Sequence, residues 1–343
     1  MTRTRILFFG SDFISTKSLK AIYEAKNKAG QNLCSRIGIV CPPPQRTGRG
    51  LRNVTNSPIL DFARKHEIEC FTAPAKRKAE LKEWCLPQNL SDSFDIGVVV
   101  SFGYFLPSEL IRSFKYGAIN LHPSLLPMYR GAAPIQHALI NGDGETGISI
   151  INVDDSAFDV GDILFQVKEQ IRPEDTFLSL ADRLGDIGAE HLVNVLQDFE
   201  VVEAQKWPQK TKSNVGVLRA PKIKPRDSNI RWGEQTAKQA VDLWRGIGEQ
   251  IGIFSGYGGK RVRLRSISPV SAAEFRQIPA KSVPGHIHLE RVHKKNRIAI
   301  KCMEGWIECT SFQFDGRKII DANSFANGFL KKDPLLNYFE TLE

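Results

Sequence analysis

Gly117-Ala118-Ile119-Asn120-Leu121-His122-Pro123-Ser124-Leu125-Leu126-Pro127 is the stretch on which the reading of the fold turns. Its first half is apolar and bounded by turn signals, as a buried strand is. Its second half lies between two prolines that stiffen a turn. In open α/β sheets, ligands sit beyond the carboxyl ends of the strands. The stretch is therefore expected to carry Asn120, His122 and Ser124 to such an end. Asn120 and His122 are two residues apart, so on a strand they share one face and can reach one reacting atom.

The sequence on either side supports such a sheet. Residues 5–10 form an apolar run ending in Gly10, which reads as a buried parallel strand. Ser11 and Asp12 are helix-capping types ahead of a helix over 13–28, and 35–41 reads as a second strand, completing a βαβ unit. No G-x-G-x-x-G follows the first strand, which argues against a dinucleotide site. Helices are read at 57–65, 77–86 and 133–141, and a long amphipathic one at 177–199. Strands are read at 70–71, 147–151 and 163–166. The β-branched run 96–100 is taken as central. Together these predict an α/β fold, a Rossmann-like domain with a mostly parallel sheet, over 1–203.

Composition shifts at 204–228, a Lys-, Arg-, Pro- and Gln-rich stretch read as a basic linker crossing the surface. Beyond it, 229–343 carries short strand signals at 261–267, 285–289, 297–302 and 307–314, with small helices at 236–246 and 325–330. Short strands separated by turn signals point to a small β-barrel of OB-like type.

Lys and Arg number 47 against 38 Asp and Glu, a formal charge of +9. Such a balance favours a polyanionic partner such as nucleic acid, the alternative being a basic surface with no dedicated partner. Residues 42–52 combine prolines and glycines with Arg46, Arg49 and Arg52 after a strand end. This exposed, mobile loop is either solvated surface or an arginine grip on phosphate. The six cysteines show no C-x-x-C pair, so reduced thiols and an intracellular protein are expected. No segment reads as a membrane span, signal peptide or long transit peptide, and no metal is expected.

The chemistry of the central stretch follows from its side chains. The Asn120 amide can donate to a developing oxyanion, and His122 can donate or carry a proton near neutral pH. The Asp159-Val160-Gly161-Asp162 turn offers Asp159 as a base or proton relay. Taken singly, Asn-x-His is equally a satisfied structural pair, and Asp159 equally a turn carboxylate.

In combination, Asn120 to Pro127, Tyr129-Arg130-Gly131, Gly147 and the 159–162 turn resemble the folate-dependent formyltransferase family. Arg130-Gly131-Ala132-Ala133-Pro134-Ile135-Gln136, Gly48-Arg49-Gly50 before Ser57-Pro58, and Ile230-Arg231-Trp232 are similar to the branch that acts on charged tRNA. The resemblance covers nearly the whole chain, strongly over 95–190, moderately over 5–62 and weakly after 235. It implies formyl transfer from 10-formyltetrahydrofolate to the methionine amine of initiator methionyl-tRNA. Asn120, His122 and Asp159 would be catalytic. Ser124, Leu125, Leu126 and Pro127 would hold the folate, with Phe102, Tyr104, Phe105 and Leu106 lining the pterin pocket. Arg46, Arg49, Arg52, Lys210, Lys212, Lys222 and Lys224 would contact tRNA.

The chain departs from the branch in three places. Pro123 replaces a common Gly, the loop after Gly10 is a residue shorter, and a Pro-rich turn near 245–248 is missing. The rival readings are a formyltransferase acting on a small amine and a non-catalytic RNA-binding protein. A monomer in the mitochondrial matrix is expected, with bacterial cytoplasm as the alternative.

Overall fold

A computed structural model describes residues 4–47, 52–74, 93–209, 217–270, 275, 282–293 and 295–342. Contacts group the chain into two compact units. One comprises Met1–Pro134, Glu145–Gln170 and Leu180–Pro221, and the other Ile135–Gly144, Ile171–Ser179 and Lys222–Glu343.

The first unit is built on seven strands: β1 (Thr4–Gly10), β2 (Cys34–Cys41), β5 (Glu69–Thr72), β6 (Ile96–Val100), β7 (Ala118–His122), β8 (Glu145–Asn152) and β9 (Ile163–Gln170). Their order is β5-β2-β1-β6-β7-β8-β9. Pairings from β5 through β7 are parallel, while β8 runs antiparallel to both neighbours. Ile6, Leu7, Phe8, Phe9, Val98 and Ile119 are fully buried. Their apolar runs are those of central strands covered on both faces. The strand order reverses between β1 and β6. There the Ser11 hydroxyl donates to the Ser101 carbonyl, and Asp12 caps the Phe13–Glu24 helix by accepting from the Ser15 amide at 3.0 Å. At the opposite strand ends, Arg5 clasps Asp95 through Nε at 3.1 Å and Nη2 at 2.7 Å.

Two expectations need correction. Residues 42–52 are not wholly irregular: β3 (Gln45–Thr47) and β4 (Asn53–Thr55) pair antiparallel as a short ribbon. Backbone pairing of the polar Gln-Arg-Thr and Asn-Val-Thr segments was hidden by the prolines before them and the glycines between them. The stretch 204–228 is also more than a surface crossing. Trp207 exchanges backbone hydrogen bonds with Ile163, at 2.8 and 3.1 Å, and Gln209 and Ala220 are buried. The helix expected at 77–86 lies outside the described residues.

The second unit carries an antiparallel sheet ordered β10-β11-β14-β13-β12, made of Ile253–Tyr257, Lys260–Val270, Trp306–Phe314, Lys295–Lys301 and Ile287–Val292. Its first strand gave no sequence signal. The chain's last segment joins the two edges. Gly256 and Glu340 exchange backbone bonds at 2.8 Å, and Phe339 and Ile287 donate to Gly285 and Asn337 at 2.8 and 2.9 Å. Those bridges bring the two ends of the sheet together as a small barrel. Trp232, Phe312, Phe325 and Phe339 fill it, and the Trp232 indole N–H is satisfied by the Ser255 hydroxyl at 2.9 Å.

Candidate active site

Asn120 and His122 leave the end of β7 on one face, as their spacing requires, and both meet Asp159. The Asn120 amide donates to Asp159 Oδ1 at 3.3 Å. His122 Nδ1 lies 3.5 Å from the same oxygen. The other carboxylate oxygen, Oδ2, accepts from the Gly131 amide at 2.9 Å. His122 Nε2 is 3.0 Å from the Tyr129 carbonyl. A carbonyl only accepts, so Nε2 carries the hydrogen and Nδ1 is the nitrogen turned toward the carboxylate. The His122 and Asp159 side chains are 6% and 10% exposed, which keeps their interaction largely free of solvent screening.

Asp159 reaches this position through an unfavourable backbone, with φ of +58°. Gly161 explains how the loop lies so close to β8, because a Cβ there would stand 1.8 Å from the Asn152 carbonyl oxygen. Gly131 plays the same part opposite. It has φ of +128°, and a Cβ would meet the Ala220 carbonyl oxygen at 2.5 Å.

The side chain that holds the Asp159 loop was not foreseen. Gln209 Nε2 donates to the carbonyls of Asp159 and Gly161 at 2.9 and 2.8 Å, while its Oε1 accepts from Arg130 Nε and Nη2 at 3.1 and 2.6 Å. Nothing in a basic, low-periodicity stretch marks one Gln as buried. Ser149 and Gln166 were also missed. Ser149 Oγ donates to the Ser124 carbonyl and accepts from the Leu126 amide, at 2.7 and 3.1 Å. Gln166 Nε2 reaches the Leu126 carbonyl at 3.0 Å. The signal for Ser149 was present: it is the lone hydroxyl in the buried run Gly147-Ile148-Ser149-Ile150-Ile151.

The residues expected to hold folate divide by exposure. Ser124 is buried, with its hydroxyl donating to the Met128 carbonyl at 2.7 Å. Leu126 is buried, and the Leu126–Pro127 peptide is cis. Phe102, Tyr104 and Leu106 belong to the core around Leu7, Phe9 and Phe114. Leu125, Pro127 and Phe105 are half-buried. Phe105 meets Phe158 edge-on at 5.1 Å between ring centroids, and Phe158, one residue before Asp159, is 55% exposed. An exposed aromatic beside a buried carboxylate suits a flat, partly apolar ligand such as a pteridine.

Of the basic residues expected to contact tRNA, Arg46, Arg52, Lys222 and Lys224 are exposed, and Arg49, Lys210 and Lys212 lie outside the described residues. Among the described residues, no group of His, Cys, Asp or Glu is placed to hold a metal ion, and no helix is long and apolar enough to cross a membrane.

Residues 4–196 match the family model described as formyl transferase, and 222–330 match that of the formyl transferase C-terminal domain. The chain belongs to the formyl transferase family. This formyl transferase is 31% identical over 329 residues to the mitochondrial methionyl-tRNA formyltransferase of Rattus norvegicus, covering 95% of this chain and 78% of that protein. It is 28% identical over 333 residues to the methionyl-tRNA formyltransferase of Rickettsia bellii, covering 97% and 99%. A solved structure of HypX from Aquifex aeolicus in complex with tetrahydrofolic acid shares the fold. There the TM-score is 0.56 at 16% identity, over 96% of this chain and 48% of that one. The formyl transferase therefore spans about half of that larger protein. Its relatives come from both mitochondria and bacteria.

Proposed function

We propose that this enzyme transfers the formyl group of 10-formyltetrahydrofolate to the α-amino group of methionine on initiator methionyl-tRNA. The observation that carries the reading is the meeting of Asn120, His122 and the Gly131 amide on the Asp159 carboxylate at the end of β7. The donor supplies an electrophilic formyl carbon when bound. Phe105 and Phe158 offer it an aromatic wall, and Leu125 and Pro127 an apolar floor. Ser124 and Leu126 serve from behind by fixing the turn through Ser149 and Gln166.

The residues then divide the work. The Asn120 amide stands where it can donate to an oxygen that gains charge as the amine attacks, and His122, whose Nε2 hydrogen is held by the Tyr129 carbonyl, can donate as well only when Nδ1 is protonated. Losing one such donor costs about a hundred- to a thousandfold in rate. Asp159 accepts the proton that the amine must shed and passes it toward the leaving nitrogen. Asp159→Asn keeps the shape and removes the base, so it abolishes transfer without weakening tRNA binding.

The basic side chains within 46–52 and 204–228 supply a salt-sensitive hold on RNA backbone. Arg49→Ala raises the KM for tRNA, increasingly so with salt; unchanged tRNA kinetics would remove Arg49 from that role. The organisation that serves this reading is a formyl-transferring domain over 1–203, a basic connection over 204–228 and a tRNA-holding barrel over 229–343. The protein works as a monomer, in the mitochondrial matrix or, in a bacterial source, the cytoplasm. One assay separates the readings: formyl transfer to purified methionyl-tRNA beside transfer to small amines. Activity on a small amine and none on methionyl-tRNA would overturn this assignment.

A further inference from the structure

Outside the catalytic cluster, the segment that follows the 204–209 stretch returns to the site at Arg219. Arg130 and Arg219 pair as a parallel bridge. Three backbone bonds lock the two segments together: Tyr129 to the Leu218 carbonyl at 2.7 Å, Ala220 to the Arg130 carbonyl at 2.8 Å, and Ala133 to the Ala220 carbonyl at 3.0 Å. Residues paired this way place their side chains on the same side of the two strands. The bridge thus brings the two side chains close enough for the Arg219 charge to be felt at Arg130, and backbone pairing rather than attraction holds them there.

Among the described residues neither side chain forms an ion pair, although the Asp159 charge reaches Arg130. Arg130 spends Nε and Nη2 on the neutral amide oxygen of Gln209. Arg219 is exposed and makes no side-chain hydrogen bond or ion pair there. Burial, and after it the Arg219 charge, push Arg130 below the ordinary guanidinium range, while the Asp159 charge acts the other way. Paired cations held in register, half-buried on one side and open on the other, are relieved by an anion arriving from solvent. The guanidinium fork matches two oxygens of a phosphate. The location selects the kind of phosphate. Gly131, next to Arg130, donates to Asp159, so the bound anion lies beside the point where the acceptor amine must sit.

We propose that Arg130 and Arg219 form a phosphate site that grips the single-stranded end of the RNA acceptor beside Asp159. The proposal rests on the reading that the acceptor is a charged tRNA, and it adds which two side chains seat the acceptor end at the reacting carboxylate. Arg219 is the cleaner probe, because Arg130 also touches Gln209.

The experiment measures kcat/KM for methionyl-tRNA at several KCl concentrations in the wild type, Arg219→Ala and Arg219→Glu. The control is Lys20→Ala on the exposed side of the Phe13–Glu24 helix. Arg219→Ala is expected to raise the KM for methionyl-tRNA about tenfold, and to flatten the slope of log kcat/KM against log salt by about 0.7, one single-strand phosphate contact. Arg219→Glu goes further in the same direction, and the KM for the formyl donor stays put in both. A slope unchanged in Arg219→Ala overturns the proposal. So does a rise in the donor's KM instead, which would make the anion a donor carboxylate. An equal flattening in Lys20→Ala would reduce the effect to net charge, and overturns it too. A wild type inactive on methionyl-tRNA removes the functional reading and this proposal together, whereas an active wild type with an unchanged Arg219 slope removes this proposal alone.

Discussion

Replacing Gln209 tests whether the active carboxylate is held in place from a distance. Its amide donates to two carbonyls of the Asp159 loop, at 2.9 and 2.8 Å, and its oxygen accepts twice from Arg130. The two neutral bonds contribute about 1 kcal/mol each, and the forked contact of Arg130 on the single Gln209 oxygen, taken as one charged interaction, about 2 kcal/mol. The set is then worth about 4 kcal/mol before water replaces any of it. Holding Asp159 at φ of +58° costs about 2 kcal/mol. The Gln209 bonds outweigh that cost, and without them the loop relaxes away from the left-handed conformation. A displacement of about 1 Å at a reacting group costs on the order of a hundredfold in rate. Gln209→Ala is therefore expected to lower kcat about a hundredfold, with little change in the KM for the formyl donor. Gln209→Glu keeps the Arg130 contact but loses both donated bonds, so it should fall nearly as far. In the Asp159→Asn background, Gln209→Ala should cost nothing more, since the two act through one group. Steady-state kinetics on methionyl-tRNA reads all three. Wild-type kcat in Gln209→Glu, or additive losses in the double variant, would refute a positioning role.

Other consequences follow from single contacts. Gly161→Ala forces a Cβ against the Asn152 carbonyl oxygen, while Gly144 faces open space; activity should be lost in Gly161→Ala and kept in Gly144→Ala. The Arg5 guanidinium holds the Asp95 carboxyl below its usual range. The stability it adds is present above the ordinary carboxylate pKa and lost as pH falls through the lowered one. Arg5 is partly exposed, so Asp95→Asn should cost only about 1 kcal/mol near neutral pH, a difference from wild type that shrinks in urea titrations below about pH 4. Burial pushes the Cys302 and Cys309 thiols up to about 12, while Cys70 is exposed. Iodoacetamide at mildly alkaline pH should alkylate Cys70 and spare Cys302 and Cys309 until urea is added, as peptide mass analysis would reveal.

The sequence by itself determined the sheet and the position of its chemistry. Apolar runs such as Ile6–Phe9 and Val98–Val100 have only one low-energy use, burial as central strands. A spacing of two on β7 obliges Asn120 and His122 to share a face, because strand geometry is local. The tertiary structure alone decided what those groups touch. That Asp159 closes on Asn120 and His122, that Gln209 holds its loop, and that the tail at Asn337–Glu340 seals the barrel are contacts between residues far apart in the chain. No periodicity records them, since each partner obeys only its own neighbours' pattern. The same holds for Arg130, a motif residue, and Arg219, which no pattern marks: they come together only when 218–220 pairs with 129–133.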